Sequence, residues 1–340
     1  MGLLRWFVDP LVKITEYLKD NKTEEIINNT NNTPQVLQSP IETKPSTKVF
    51  RPINFNQYIG QEKAKAILKN YIQGTKNRNT IFPHLLIHSS AGMGKTTLAR
   101  IVANELQVEM KEYITSSITA DAYMFKYILK KANGNIIFLD EVHGIDRNSA
   151  EQIYSMIEDF THNGEAIPPF TLIGATTELG EILETRRPFY DRFKIVIELE
   201  DYTLEDMIKI IKQYKENSFP DYIDEKIYEV IAKNSQGIPR KAIRLLDATI
   251  YFGGDVQEVL KSFGIIKDGY SLKDLKVLEY LFQNQKGVGI QGISSYLNTS
   301  TQNYLYEIEP YLLKNNIIIR TPRGRKISDK GIQLIQELSL

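Results

Sequence analysis

The stretch Ser89-Ser90-Ala91-Gly92-Met93-Gly94-Lys95-Thr96-Thr97 constrains this chain more than any other. It follows an apolar run, Leu85-Leu86-Ile87, and precedes Leu98-Ala99-Arg100-Ile101-Val102-Ala103, whose apolar positions recur at helical spacing. Strand, tight glycine turn and helix in that order predict a phosphate-binding loop. Gly92 and Gly94 let backbone N–H groups close on an anion, and the helix N-terminus adds its dipole. Lys95 can reach the β- and γ-phosphates of a nucleoside triphosphate, and the Thr96 hydroxyl can hold Mg²⁺. One position departs from the pattern G-x-x-x-x-G-K-[ST]: Ser89 stands where the first glycine is usual.

A second apolar run, Asn135-Ile136-Ile137-Phe138-Leu139, ends in the carboxylates Asp140 and Glu141. That is the pattern of a buried parallel strand whose C-terminal edge faces a ligand. Asp140 is placed to hold Mg²⁺ through water, and Glu141 to polarise an attacking water. A third strand, Phe170–Thr177, ends in hydroxyls instead, and Thr176-Thr177 can bond a phosphate or that water. His143, just past the acids, reads as a structural turn residue. Strands alternating with helices, as near 61–74 (Ala64, Ile67, Leu68 and Ile72 on one face) and 121–132, predict a parallel α/β sheet.

Around that centre the chain changes character twice. Residues 1–19 carry Leu4, Phe7, Val8, Leu11, Ile14 and Leu18 at helical spacing, broken by Asp9-Pro10, which predicts an amphipathic helix over about 10–19. Its apolar stripe can dock on the chain's own body, on a partner or on a membrane surface. Residues 20–48 are rich in Asn, Thr, Pro and Ser and read as a flexible linker. From Tyr202 the pattern turns helical, with Thr203 capping Leu204–Tyr214 and helices near 223–234, 238–251 and 255–263. A short helix (Gly292–Leu297), a polar turn, a longer helix (Thr301–Lys314) and a hairpin (Ile317–Ile327) then give a winged helix-turn-helix. The hairpin tip concentrates Arg320, Arg323, Arg325 and Lys326, with no acidic neighbour before Asp329, so it is expected to meet DNA phosphates.

Formal net charge is +0, so any nucleic-acid surface must be local. The absence of cysteine excludes disulfides and thiolate metal sites. No apolar run has membrane-spanning length and the N-terminus lacks the features of a signal peptide, which makes cytoplasm the default location and a membrane role unexpected.

With these parts in place, the chain from about residue 50 onward resembles the RuvB family, the AAA+ motors of Holliday-junction branch migration. The resemblance rests on Arg51-Pro52 with Tyr58-Ile59-Gly60-Gln61, on Pro168-Pro169-Phe170 leading into Ile173-Gly174-Ala175-Thr176-Thr177, and on Asp191-Arg192-Phe193. It continues through Gly237-Ile238-Pro239-Arg240, Glu309-Pro310-Tyr311-Leu312 and Arg320-Thr321-Pro322-Arg323-Gly324-Arg325. It implies an AAA+ ATPase domain over 49–201, a helical lid over 202–265 and a DNA-binding winged helix over 266–340. By the same resemblance Phe50, Arg51 and Tyr202 line the nucleotide with Gly92, Gly94, Lys95, Thr96 and Thr97, and Thr177 is the sensor beside Asp140 and Glu141. Arg240 contacts the γ-phosphate from the same subunit, whereas Arg192 reaches into a neighbour's site. ATP and Mg²⁺ are the implied ligands, duplex DNA or a Holliday junction the substrate, and a homo-oligomeric ring, a hexamer, the assembly. Alternative readings are a clamp-loader-like switch without motor activity, and an ATP-dependent scaffold of a phage or mobile element.

Three departures from the family stand out. Ser89-Ser90-Ala91 replaces Gly-Pro-Pro, a change expected to alter turnover. Phe160–Ile167 can form only a tight turn where the family carries a long protruding hairpin that docks its partner RuvA. Residues 1–48 are extra. These features predict recruitment by another partner through residues 1–19 rather than by a RuvA-type loader.

Overall fold

The computed structural model describes residues 49–119, 122–220 and 222–338. The expected amphipathic helix of 1–19 and the linker of 20–48 lie outside the described residues. Helix α1 (Glu62–Arg78) leads into β1 (Leu85–His88), and the glycine turn opens α2 (Lys95–Leu106). Next come β2 (Met110–Ile114), α3 (Thr115–Thr119), α4 (Ala122–Lys130), β3 (Ile136–Asp140), α5 (Arg147–Gln152) and α6 (Tyr154–Glu158). A hairpin of β4 (Thr161–His162) and β5 (Glu165–Ala166) precedes β6 (Thr171–Thr176), α7 (Leu179–Thr185), α8 (Arg187–Tyr190) and β7 (Ile195–Glu198).

Five of these strands form one parallel sheet in the order β2-β3-β6-β1-β7. A parallel sheet must be covered on both faces. Leu68, Leu98, Ile101 and Val102 cover one side, and Phe125, Ile153, Met156 and Phe189 the other. Because all five strands run the same way, the turn after β1, Asp140 at the end of β3 and Thr176 at the end of β6 share one edge. That edge is where a doubly wound sheet opens a crevice.

Two details differ from expectation. Helix α1 passes Gly74 and stops at Arg78, because the buried stripe of Ala64, Leu68 and Ile72 extends to Thr75. Ile67 lies on the flank of that stripe and is exposed. The edge strands β2 and β7 carry no signal strong enough to have been anticipated. β2 (Met-Lys-Glu-Tyr-Ile) is half exposed along its length.

The next four helices, α9 (Leu204–Ser218), α10 (Glu225–Asn234), α11 (Pro239–Tyr251) and α12 (Val256–Ser262), enclose a separate core of Ile211, Ile231, Ala242, Leu246 and Val259. Thr203 caps α9 by accepting the Asp206 N–H at 3.1 Å. Beyond a hairpin of β8 (Ile265–Lys267) and β9 (Tyr270–Ser271) lie α13 (Leu272–Gln283), α14 (Ile290–Tyr296), α15 (Thr301–Asn303), a π-turn (Tyr304–Ile308) and α16 (Glu309–Lys314). The wing, β10 (Ile318–Thr321) and β11 (Gly324–Ile327), and α17 (Asp329–Leu338) complete a winged helix around Leu278, Ile293, Tyr304 and Leu312. The expected single helix 301–314 is interrupted by that π-turn. Pro310 has no N–H to donate to the preceding turn, and the extra residue per turn absorbs the missing bond.

Candidate active site

Lys95 opens α2, and its ammonium donates to the carbonyls of Ser89 (2.9 Å) and Ser90 (3.1 Å). Ser89 is not among the residues of positive φ, so this loop does not need a glycine there. Gly92 is different: its φ is +81°, and a Cβ would lie 2.9 Å from both Arg240 Cβ and Ile238 Cγ2. The helical lid presses on the loop at that point, where the Arg240 N–H donates to the Gly92 carbonyl at 3.3 Å.

Facing Lys95 across the cleft are Asp140 and Glu141. Burial holds the Lys95 ammonium below its ordinary value, against the pull of Glu141 and Asp140. Burial, then the neighbouring Glu141, pushes the Asp140 carboxyl up, opposed by the Glu141 N–H, Lys95 and Arg240. Two adjacent carboxylates in a half-buried cleft, with the Thr96 hydroxyl lining the same space, suit a divalent cation. Mg²⁺ favours such hard oxygen donors and fills its other positions with water and phosphate oxygens.

Glu141 has a left-handed φ of 52° at the start of a single 3₁₀ turn. Thr177 Oγ1 donates to Glu141 Oε2 at 3.2 Å. His143 Nδ1 lies 3.3 Å from the same oxygen and 3.1 Å from Thr176 Oγ1. His143 thus closes the turn and also contacts the Glu141 carboxylate.

The cleft has a volume of about 570 Å³ and includes Phe50, Arg51, Gly94, Thr97 and Arg240. Beside it a smaller apolar recess of about 90 Å³ is lined by Phe50, Tyr58, Tyr202, Tyr214 and Ile243. Tyr202 OH donates to the Met93 carbonyl at 3.0 Å and so ties the lid to the loop. Tyr214 and Ile243 went unread in the sequence, since lid helices far along the chain supply them. Arg100 and Glu112 also border the cleft, joined at 2.5 and 2.6 Å.

Arg192 does not border its own chain's cleft. It follows α8, stacks on Tyr154 at 3.9 Å, pairs with Glu158 at 2.8 Å and donates to the Pro188 carbonyl. The wing corrects an expectation. Arg320 and Arg325 face each other across the hairpin rather than at its tip. Both meet a carboxylate from outside the hairpin, that of the fully buried Glu309. Arg320 reaches Glu309 Oε2 at 2.7 Å, and Arg325 reaches its two oxygens at 2.5 and 3.1 Å. Burial opposes ionisation of Glu309, but the two arginines outweigh it and hold the carboxyl below its usual range. Arg323 sits in the turn itself and is exposed.

Two family models match in chain order: the Holliday junction DNA helicase RuvB P-loop domain over residues 50–199, and the RuvB C-terminal winged helix domain over 267–336. The chain belongs to the RuvB family. It is 35% identical over 313 residues to the Holliday junction branch migration complex subunit RuvB of Mycoplasmopsis pulmonis, covering 85% of this chain and 98% of that one. The RuvB of Ehrlichia ruminantium is likewise 35% identical, over 312 residues, 85% of this chain and 92% of its own length. The Thermotoga maritima RuvB branch migration motor superposes with a TM-score of 0.73 at 32% identity, over 84% of this chain and 98% of that structure. This RuvB-family chain is an AAA+ ATPase with a parallel sheet, a helical lid and a winged helix. Its β4–β5 hairpin is only two residues per strand, joined at Asn163-Gly164.

Proposed function

We propose that this chain is the motor subunit of an ATP-driven DNA translocase that migrates Holliday junctions, working as a homo-oligomeric ring, a hexamer, in the cytoplasm. The observation that carries this reading is one chain joining an acid-lined phosphate-loop cleft to a basic-tipped winged helix. We divide it into an ATPase domain (49–201), a lid (202–265) and a winged helix (266–340), preceded by a docking segment (1–19) and a linker (20–48).

In the reaction, water attacks the γ-phosphorus of ATP and the bond to the β,γ-bridging oxygen breaks, leaving ADP and phosphate. Glu141 orients the water and accepts its proton, held in place by Thr177 and His143. Lys95 exchanges its loop carbonyls for the β- and γ-phosphates. Thr96 and Asp140 would hold Mg²⁺, which would supply positive charge to the phosphate oxygens. Phe50, Arg51 and Tyr202 enclose the base side with Gly92, Gly94 and Thr97. Arg240 meets the γ-phosphate from the lid, while Arg192 of a neighbouring subunit completes the site. The wing meets DNA phosphates chiefly through Arg323 at its tip, with Arg320 and Arg325 behind it held by Glu309.

The shallow hairpin leaves little surface for a RuvA-type loader, which supports recruitment through residues 1–19 instead. Electron microscopy with an ATP analogue and duplex DNA tests the reading. Closed rings threaded by DNA are expected, and monomers bound along the DNA would oppose it. Deleting residues 1–48 should leave hydrolysis intact while abolishing recruitment.

A further inference from the structure

The lid and the winged helix keep separate cores, and the β8–β9 hairpin belongs to both: Ile265 packs on the lid core and Tyr270 in the winged-helix core. Its turn, Asp268-Gly269, is gripped from two sides. On the lid side, Gly269 N–H donates to Asn234 Oδ1 at 3.1 Å and Gln236 Nε2 donates to the Gly269 carbonyl at 2.8 Å. On the winged-helix side, Tyr311 OH donates to the Asp268 carbonyl at 2.7 Å. The fit is close, since a Cβ on Gly269 would come within 2.8 Å of Gln236 Cγ.

Gln236 is fixed in turn by Lys241, whose ammonium donates to Gln236 Oε1 at 2.5 Å. Gln236 and Gly237 both have left-handed φ, 58° and 71°, so the corner between α10 and α11 is a defined bend. Lys241 follows Arg240 directly on the first turn of α11. Around these contacts lies a cavity of about 750 Å³, bordered by Lys241, Arg244, Asp274 and Glu307. The joint is thus open, with these charged groups set beside apolar Leu245, Phe263 and Ile308. Burial lowers the Lys241 ammonium, and the carboxylates of Glu307 and Asp274 oppose that shift while Arg244 adds to it. Asp274 is already committed to the Ser271 cap, whereas Glu307 belongs to the π-turn of the winged helix.

We propose that Lys241 and Gln236 are positioning residues that couple the nucleotide state read by Arg240 to the orientation of the winged helix, and hence to DNA affinity. The inference rests on the reading of Arg240 as a γ-phosphate contact. Without the γ-phosphate, Lys241 holds Gln236 and the lid grips the Asp268-Gly269 turn. When Arg240 is drawn to the γ-phosphate, the first turn of α11 follows, and Lys241 trades Gln236 for Glu307. Each state thus has its own acceptor for one ammonium, the differential contact that a population shift requires.

Duplex-DNA affinity of the full chain, measured by fluorescence anisotropy with ADP and with a non-hydrolysable ATP analogue, tests the link. In wild type the two affinities should differ at least about fivefold, the lower end of usual coupling. Lys241→Met and Gln236→Leu should bring that ratio below about twofold while leaving DNA-independent hydrolysis unchanged. Lys241→Arg, still a donor to Gln236, should keep the ratio. Should Lys241→Met fail to fold, Gln236→Leu carries the same test. A wild-type ratio retained by both variants, or absent from an active wild type, overturns the link. So does loss of DNA-independent hydrolysis in Lys241→Met. A wild type that neither hydrolyses ATP nor binds DNA instead overturns the motor reading beneath it.

Discussion

In the nucleotide cleft Lys95 is bonded to two main-chain carbonyls, whereas in the wing Arg325 and Arg320 are bonded to a carboxylate with no exposure. A cation resting on carbonyls gives up neutral partners when a phosphate arrives. One that leaves a buried carboxylate strands an uncompensated charge. The cleft therefore keeps its cation available for a ligand, and the wing commits two of its own to structure. Charge in a basic cluster counts toward binding only after its structural partners are subtracted.

The largest test of this contrast lies in the cleft. Lys95→Ala should lose ATP binding, and Glu141→Gln should bind ATP without hydrolysing it. Arg192→Ala should lower hydrolysis by roughly 10³–10⁵, the range for arginine fingers. Mixing Arg192→Ala with Lys95→Ala protein should restore part of the activity, because some interfaces then pair a good loop with a good finger. No recovery in co-assembled preparations would place Arg192 outside the neighbour's site.

The wing should respond in stability instead. Glu309→Ala leaves the largely buried Arg325 guanidinium without its carboxylate, while Arg320 stays open to water, and should cost about 3 kcal/mol. Urea unfolding of the winged helix measures this, with Lys95→Ala as the comparison that should leave the midpoint nearly unmoved. Equal shifts in the two variants would erase the distinction between reserved and committed charge.

The ATPase core holds a structural titratable group of its own. The Leu172 N–H donates to His84 Nδ1 at 2.9 Å, so Nε2 carries the proton and donates to the Ile157 carbonyl at 2.8 Å. Burial lowers its pKa from 6.5 to about 4. The folded value lies below the unfolded one, so this contribution is full above pH 6.5 and is lost as the pH falls toward 4. The loss amounts to about 3 kcal/mol. His84→Gln should be less stable at about pH 7 yet lose less stability than wild type between roughly pH 7 and 4.5. Parallel pH profiles for the two proteins would contradict the assignment.

The smallest effect separates the arginines of the wing. Arg323→Ala should weaken duplex binding about equally across sequences and lower the salt slope by roughly 0.9, the share of a single neutralised phosphate. Arg325→Ala should leave that slope almost unchanged, because its charge is met by Glu309. Equal slope changes would show that Glu309 does not neutralise Arg325 toward DNA.

The central fold was legible where burial imposes a pattern. β3 and β6 are apolar runs that end at the loop-bearing edge of the sheet, and Thr203 announces α9 by its cap. Edge strands have one open side and little need for apolar side chains, so β2 passed unread. The loop, Asp140, Glu141 and Thr177 could be placed together from the sequence because they sit next to the strands that carry them. The Glu309 pairing could not be. Its partners lie eleven and sixteen positions away, brought together only when the wing folds back on α16. For the same reason neither the Lys241–Gln236 contact nor the Tyr214 and Ile243 walls of the apolar recess leave a local signature.

The most direct test of the account is conversion of a synthetic four-way junction with homologous arms into duplex products by purified protein. The junction should be saturated with protein in the presence of ATP and Mg²⁺. Wild type should convert it, and Glu141→Gln, which retains ATP, should leave it intact. Wild-type protein that hydrolyses ATP yet leaves the saturated junction unchanged would contradict the account, as would conversion that survives Glu141→Gln.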